Sequence, residues 1–175
     1  MKPWVKYILL GALISVIVIL DQVTKHAIHV SMHLYQSIPI IEGFFHLTYI
    51  RNPGAAFGIM ADGNEAVRFA FFLITSIVAL TLLGLILARL PKDDWYGHLS
   101  VAVIFGGAIG NLIDRVRFGE VIDFLDVFIQ GHHWPAFNVA DSAISIGVVA
   151  LILNFSFGPL ATILPSDSER APTKE

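Results

Sequence analysis

Four carboxylates lie in the stretch 119–141 of this 175-residue chain, between two long apolar segments: Glu120, Asp123, Asp126 and Asp141. Asp123 and Asp141 lie close to the ends of those segments. An ionised carboxylate at membrane depth costs about 2.5–3.5 kcal/mol, so such residues are rare and functional by default. Two carboxylates that meet share one proton, so one can activate water while the other protonates a departing amine. We therefore predict that Asp123 and Asp141 form a catalytic pair.

A structural interpretation of the same region stays open beside the catalytic one. Asn138 and Asp141 have the spacing of a helix capping box. That interpretation leaves Asp123 unexplained, because this residue lies in the apolar context Val-Ile-Asp-Phe-Leu and has no helix to cap. The separation of the two aspartates along the chain fixes no geometry.

Two more acidic residues lie near the ends of apolar segments. Arg115 suits the negative C-terminal end of a helix, and we predict a structural role for Asp114, with Asn111 and Arg115 bordering the site. Asp21 opposes the helix dipole if its helix ends there. Either its i,i+4 partner Lys25 or the orientation of another polar group accounts for it.

The segment Asn52-Pro-Gly54 has the composition of a turn. It follows residues 44–50, which are aromatic and β-branched and predict a strand. The turn is either structural or holds an extended substrate through Asn52 and its backbone amides.

Metal and serine chemistry are not predicted. His29 and His33 have the i,i+4 spacing of a metal pair, but the chain contains no HExxH motif. No G-x-S-x-G motif is present either. We expect no metal and no cofactor.

Composition identifies the environment of these residues. The chain is 55% hydrophobic and 14% charged, with a mean hydropathy of +0.72, whereas soluble domains carry about 25% charged residues. The net charge of −3 and the lack of a basic cluster argue against nucleic acid. Without cysteine, the chain has no disulfides, thiol nucleophiles or thiolate metal sites.

Apolar runs predict an all-α membrane protein, a bundle of four transmembrane helices with a small extracytoplasmic β element. Gly106 and Gly110 have a spacing that permits close helix contact. We assign residues 1–164 to a single domain and 165–175 to a polar, disordered tail. The predicted spans are about 4–23, 67–90, 97–113 and 143–157.

An even number of spans places the loops 24–66 and 114–140 on one side and both termini on the other. Lys2 and Lys6, with no acid before Asp21, favour a cytoplasmic N-terminus. The site should then face the extracytoplasmic side.

Five motifs in this order resemble the bacterial lipoprotein signal peptidase family, signal peptidase II. They are Asp21-Gln-Val-Thr-Lys25, Asn52-Pro-Gly-Ala-Ala-Phe57, Gly110-Asn-Leu-Ile-Asp-Arg115, Val121-Ile-Asp-Phe124 and Trp134-Pro-Ala-Phe-Asn-Val-Ala-Asp141. The match covers nearly the whole chain except the tail. Gly58 departs from it, since a small hydroxyl residue is common there.

The resemblance implies an aspartic endopeptidase of the bacterial inner membrane that globomycin inhibits. We expect a monomer in contact with membrane lipids. Such enzymes cut the signal peptide from lipid-modified prolipoproteins, before the diacylglyceryl-modified cysteine. The family's catalytic pair falls on Asp123 and Asp141. Its supporting residues fall on Asp21, Lys25, Asn52, Gly54, Asn111, Arg115, Asn138 and Ala140.

A transporter and a structural subunit are the alternatives to a peptidase. A proton-coupled transporter would also use intramembrane acids, but it should carry them on both sides of the midplane and often shows repeated halves. A purely structural assembly subunit would not need Asp123.

Overall fold

The computed structural model describes residues 3–54 and 64–157. Within them lie four helices, each long and apolar enough to cross a membrane. They are α1 (Pro3–Ser31), α2 (Glu65–Arg89), α3 (Trp95–Phe118) and α4 (Val139–Phe157). Each of the four predicted spans thus falls on a helix of suitable length and composition. The predicted tail 165–175, the motif residues 55–57 and the departure at Gly58 lie outside the described residues.

The helix ends at the site were predicted wrongly. α1 runs to Ser31 rather than 23, α3 runs to Phe118 rather than 113, and α4 begins at Val139 rather than 143. A charged residue does not end a helix when its partner lies one turn away, as Asp21 does for Lys25. The predicted loops 24–66 and 114–140 are therefore shorter, and Asp21 does not lie at a helix C-terminus.

The end of α3 follows the expected physics. Arg115 lies in its last turn, where a cation is favourable. Gly119 then adopts the left-handed conformation, with φ of 75°, and its N–H donates to the Arg115 carbonyl oxygen. A glycine adopts this conformation at little steric cost, and it turns the chain directly into the next strand.

Four strands form a small open antiparallel sheet in the order β1-β2-β3-β4. They are β1 (Ser37–Ile41), β2 (Phe45–Asn52), β3 (Val121–Ile129) and β4 (His132–His133). The strand predicted at 44–50 is confirmed as β2. β3 was not predicted, although its sequence, VIDFLDVFI, is rich in the β-branched and aromatic residues that strands favour.

Register brings β2 and β3 together at the site. Asn52 pairs with Val121, and Ile50 pairs with Asp123. After β4 the chain returns to β3, because the N–H of Phe137 donates to the Leu125 carbonyl oxygen at 3.1 Å. The residue after Phe137 is thus held beside Asp123 before α4 begins.

Close helix contact positions α1 and α4 on α3. A Cβ at Gly106 would lie 3.0 Å from the Ile17 Cβ, and one at Gly110 would lie 2.5 Å from Asp21 Oδ2. The contact predicted from the GxxxG spacing is confirmed. On the other side of α3, Gly107 faces the backbone carbonyl oxygen of Ala140, so the start of α4 lies directly against α3.

The sheet packs on the last turns of α1. The cluster of buried apolar side chains joins the two: Ile28, Met32, Tyr49, Ile122 and Phe124. α2, by contrast, buries none of its residues, and its exposed surface is apolar, as expected for a helix facing lipid.

Candidate active site

Asp123 lies in β3 and is 2% exposed. Its carboxyl group accepts two amide hydrogen bonds. Asn52 Nδ2 donates to Oδ2 at 2.8 Å, and Asn138 Nδ2 donates to Oδ1 at 2.7 Å. Asn52 comes from the paired strand β2, and Asn138 is held by the return of the chain to β3.

Asp141 lies in the first turn of α4. Its Oδ1 accepts from Asn111 Nδ2 at 2.7 Å, and its Oδ2 accepts from the N–H of Asn138 at 3.2 Å. The N–H of Asp141 donates in return to Asn138 Oδ1 at 2.9 Å. The predicted capping box is therefore confirmed, and the amide of the same Asn138 also contacts Asp123. Asn138 links the two carboxyl groups.

Burial, the larger cause, and the nearby charge of Asp141 raise the pKa of the Asp123 carboxyl from 3.8 to about 7. The hydrogen bonds from Asn52 and Asn138 and the charge of Lys25 oppose this rise. Asp123 consequently keeps its proton through the acidic range and up to about pH 7. A protonated carboxyl beside a carboxylate is an arrangement that can perform general acid–base chemistry.

Lys25 lies at the centre of a second, fully buried cluster. Its Nζ lies 2.9 Å from Asp21 Oδ2, 3.0 Å from Asp114 Oδ2 and 2.8 Å from Asn111 Oδ1. Because Lys25 takes the oxygen of the Asn111 amide, the nitrogen of that amide faces Asp141. Lys25 therefore orients Asn111, the hydrogen-bond donor of Asp141, without contacting the Asp141 carboxyl group itself.

Asp21 and Asp114 each hold a second element in place. Asp21 Oδ1 accepts from the N–H of Ala140 at 2.9 Å, which fixes the start of α4 on α1. Asp114 Oδ2 accepts from the N–H of Ile122 at 3.1 Å, which fixes the start of β3 on α3. Both explanations offered for Asp21 hold at once, since it pairs with Lys25 and also orients another element.

The remaining predicted site residues have different surroundings. Gly54 has φ of 97°, its N–H donates to Asn52 Oδ1 at 2.9 Å, and a Cβ there would clash with the Phe72 ring. The guanidinium of Arg115 lies over the same ring, 5.8 Å from its centroid. The Arg115 guanidinium donates no hydrogen bond to another group within residues 3–54 and 64–157.

Sequence reasoning missed one member of the site, Gln22. Its Nε2 donates to Asp114 Oδ1 at 2.9 Å, to the Gly110 carbonyl oxygen at 3.1 Å and to Asp21 Oδ2 at 3.2 Å. The signal was a polar amide directly after Asp21 in an otherwise apolar helix.

The histidines considered as a metal pair have other contacts. His29 Nδ1 lies 2.8 Å from the Tyr49 hydroxyl. In the part of the chain that the structure describes, no group of three or more His, Asp or Glu residues could hold a metal ion.

Comparison with known proteins identifies the family. Residues 13–157 match the family model described as signal peptidase (SPase) II, of the peptidase family A8. The chain belongs to the signal peptidase II family. The resemblance in the five motifs is thereby confirmed, and the chain is a peptidase rather than the transporter considered above.

Curated relatives agree with this membership in the signal peptidase II family. The lipoprotein signal peptidase of Geobacter sulfurreducens is 50% identical over 154 residues, which cover 88% of this chain and 94% of that protein. The lipoprotein signal peptidase of Syntrophus aciditrophicus is 45% identical over 153 residues, covering 87% and 93%.

Two solved structures described as bacterial membrane enzymes are also similar. One is 35% identical with a TM-score of 0.75, covering 83% of this chain and 91% of that one. The other is 35% identical with a TM-score of 0.73, covering 95% and 93%. The signal peptidase II fold described above is thus that of a multi-pass membrane enzyme.

Proposed function

We propose that this member of the signal peptidase II family is an aspartic endopeptidase that acts on diacylglyceryl-modified prolipoproteins. It removes the signal peptide by cutting before the lipidated cysteine. The observation that carries the mechanism is that one residue, Asn138, hydrogen-bonds both carboxyl groups: its side-chain amide donates to Asp123, and its backbone N–H donates to Asp141.

In the proposed reaction Asp141 is the general base and Asp123 is the general acid. Asp141 takes a proton from water as the water oxygen attacks the scissile carbonyl carbon, and Asp123 gives its proton to the carbonyl oxygen. The C–N bond then breaks as the departing nitrogen receives the proton that Asp141 holds, and one hydroxyl group of the tetrahedral intermediate returns its proton to Asp123 as its oxygen becomes the product carbonyl oxygen. The raised pKa of Asp123 supports this assignment, because the acid must enter the reaction protonated.

Supporting residues act through the aspartates. Asn52 and Asn138 position Asp123, while Asn111, oriented by Lys25, positions Asp141. Asn52 was expected to hold the substrate backbone. Since its amide nitrogen is within hydrogen-bond distance of Asp123, we now assign it first to positioning that carboxyl group.

We place the site on the extracytoplasmic side of the bacterial inner membrane, with both termini in the cytoplasm. The signal peptide of a prolipoprotein spans the membrane, so its scissile bond lies near the outer interface, where water is available. Asp123 and Asp141 lie at the end of the bundle where α1 and α3 end and α4 begins. The apolar surfaces of the helices provide a medium suited to the substrate's lipid chains.

Purified protein should be incubated with a diacylglyceryl-modified prolipoprotein and, separately, with the same protein lacking the lipid. We expect release of the signal peptide from the lipidated form only, cleavage directly before the modified cysteine, and inhibition by globomycin. Asp123→Asn and Asp141→Asn should each abolish cleavage.

Asp126→Asn is the matched control. Asp126 lies on the same strand as Asp123, but its carboxyl group contacts Thr48 and His133 instead of the pair. It should therefore retain activity. Wild-type cleavage by Asp123→Asn would exclude the proposed mechanism, and equal cleavage of the unlipidated substrate would exclude the proposed specificity.

A further inference from the structure

Basic side chains gather around the ring of Phe118. We call Arg51, Arg117, His29 and Phe118 the Phe118 cluster. The guanidinium carbon of Arg51 lies 4.5 Å from the ring centroid, and that of Arg117 lies 5.0 Å from it. The His29 ring centroid lies 5.8 Å away. One aromatic ring therefore gathers two fixed positive charges and one titratable group.

Contacts with the buried Tyr49 fix the geometry of the cluster. Arg51 Nε donates to the Tyr49 hydroxyl at 2.7 Å, and that hydroxyl lies 2.8 Å from His29 Nδ1. Tyr49 itself is 4% exposed and belongs to the apolar cluster between α1 and the sheet. Arg51 is consequently held in position before any ligand arrives.

The charge of the cluster is not neutralised by a carboxylate within the described ranges 3–54 and 64–157. There, ion pairs shorter than 4.0 Å involve Lys25 and His133, and neither Arg51 nor Arg117 forms one. Asp114 borders the same small cavity as Arg117 and His29, but its carboxylate is already paired with Lys25. Guanidinium N–H groups therefore remain for an external anion.

The position of the cluster indicates the source of that anion. Arg117 and Phe118 lie in the last turn of α3, a spanning helix of 24 residues, and His29 lies in the last turn of α1. About 20 residues cross the hydrocarbon core, so the ends of such helices lie among the lipid headgroups. We propose that the Phe118 cluster binds the phosphate group of an anionic phospholipid.

The ligand lies on the surface of the cluster rather than beneath it. The cavity bordered by His29, Arg117 and Phe118 has a volume of about 20 Å³, which is room for about one water molecule. A phosphate is too large for it. Guanidinium groups suit this ligand, because their planar N–H donors match phosphate oxygens in pairs.

The test uses purified protein in a neutral detergent, titrated with short-chain phosphatidylglycerol or with inorganic phosphate while the thermal unfolding midpoint is followed. Phosphatidylglycerol should raise the midpoint of the wild-type protein. For Arg51→Gln/Arg117→Gln, the apparent affinity for this lipid should fall on the order of tenfold. If that variant does not fold, the same titration is made with Arg117→Gln alone, since this exposed side chain makes no hydrogen bond within the described residues. Its apparent affinity for the lipid should also fall.

Arg68→Gln/Arg89→Gln is the matched control, since it removes the same charge from the two ends of α2. It should bind the lipid like the wild type. Equal weakening in the control, or undiminished binding in the cluster variant, would overturn the proposal. An equal effect of inorganic phosphate would assign the cluster to free phosphate and overturn the lipid assignment. None of these outcomes depends on cleavage activity.

Discussion

Asn138 combines two tasks in one side chain. Its oxygen accepts from the N–H of Asp141 and completes the cap of α4, while its nitrogen donates to Asp123 at 2.7 Å. The side chain is fully buried. Because an amide has a donor at one end and an acceptor at the other, the cap and the catalytic geometry are fixed together.

Stability should depend on pH through Asp123. Its pKa is raised in the folded protein to about 7. Asp123 therefore contributes fully to the free energy of unfolding below about pH 4, and this contribution is lost as the pH rises through 7. Asp123→Asn removes this loss. Relative to the wild type, the variant should gain on the order of 4 kcal/mol between pH 4 and pH 8. Thermal unfolding in detergent at several pH values measures this, and a constant difference would contradict the raised pKa.

Asn52→Ala should alter the pH dependence of cleavage as well as its rate. The hydrogen bond from Asn52 lowers the pKa of Asp123, so its loss raises that pKa. Since Asp123 is proposed to act protonated, kcat/KM should fall above about pH 7 in the wild type and at higher pH in the variant. Some activity should remain. An unshifted profile with reduced activity would return Asn52 to substrate binding, and complete loss would place it with the catalytic pair.

Asp114→Asn tests the structural assignment. The substitution removes a buried partner of Lys25 and weakens the support of Ile122, at a cost of about 3–5 kcal/mol for a broken buried pair. The unfolding midpoint in detergent should fall, and cleavage should fall with the folded fraction. If Asp114→Asn is stable but inactive while Asp123→Asn unfolds the protein, the two roles are reversed.

At the scale of elements, α3 is the helix on which the site is assembled. It supplies Asn111 and Asp114, and its glycines allow α1 and α4 to approach from two sides. Gly107 faces the Ala140 carbonyl oxygen, one residue before Asp141. The position of Asp141 therefore depends on the absence of a side chain at Gly107.

Gly107→Ala should destabilise the protein by about 1–3 kcal/mol, because the added methyl group meets backbone that cannot move freely. By displacing α4 it should also reduce kcat. Gly84→Ala is the control: a Cβ at Gly84 meets nothing within 4 Å, and helix propensity favours alanine by about 1 kcal/mol. Unfolding midpoints and cleavage rates of both variants decide the matter, and equal behaviour would show that α3 and α4 are not tightly packed.

The elements show what sequence patterns could and could not predict. Spans follow from long apolar runs, and β2 from its aromatic and β-branched residues. β3 was not predicted because Asp123 and Asp126 interrupt its run of β-branched and aromatic residues. The ends of α1 and α3 were misplaced because Lys25 and Asp114 are charged, and only their partners on other elements make them compatible with a buried helix.

At the scale of the whole molecule, the polar residues divide between two ends of the bundle. Asp123, Asp141 and the cluster around Lys25 lie at one end. At the other, Lys6 Nζ donates to the Lys92 carbonyl oxygen at 2.9 Å, and Asn154 Nδ2 donates to Asp94 Oδ2 at 2.9 Å. This second cluster ties α1 and α4 to the turn between α2 and α3.

Both termini are predicted to face the cytoplasm, because the number of spans is even and Lys2 and Lys6 precede the first span. A reporter that is active only in the cytoplasm should be active when it is fused after residue 94 or at the C-terminus. A fusion within the connection between α1 and α2 is the opposite control and should be exported. Export of a fusion at residue 94 would reverse the topology.

The two aspartates proposed as catalytic could be chosen from the sequence, whereas the network that holds them could not. An acid within an apolar run is costly wherever it occurs, so Asp123 is conspicuous without a fold. The bond from the Ala140 N–H to Asp21 spans 119 positions of the chain. Its existence depends on how α1 and α4 cross α3, which no local pattern contains.

The Asp21–Lys25 pair also bears on how the protein is made. α1 is synthesised first, while Asn111, which Lys25 contacts, follows 86 positions later. A helix that inserts before Asn111 is made would have to carry Lys25 without that partner. Asp21 and Lys25 lie one turn apart, with Lys25 Nζ 2.9 Å from Asp21 Oδ2. Each is the counter-ion of the other, so this turn of the newly made helix carries no net charge. The same pair that later supports the active site thus allows α1 to enter the bilayer alone.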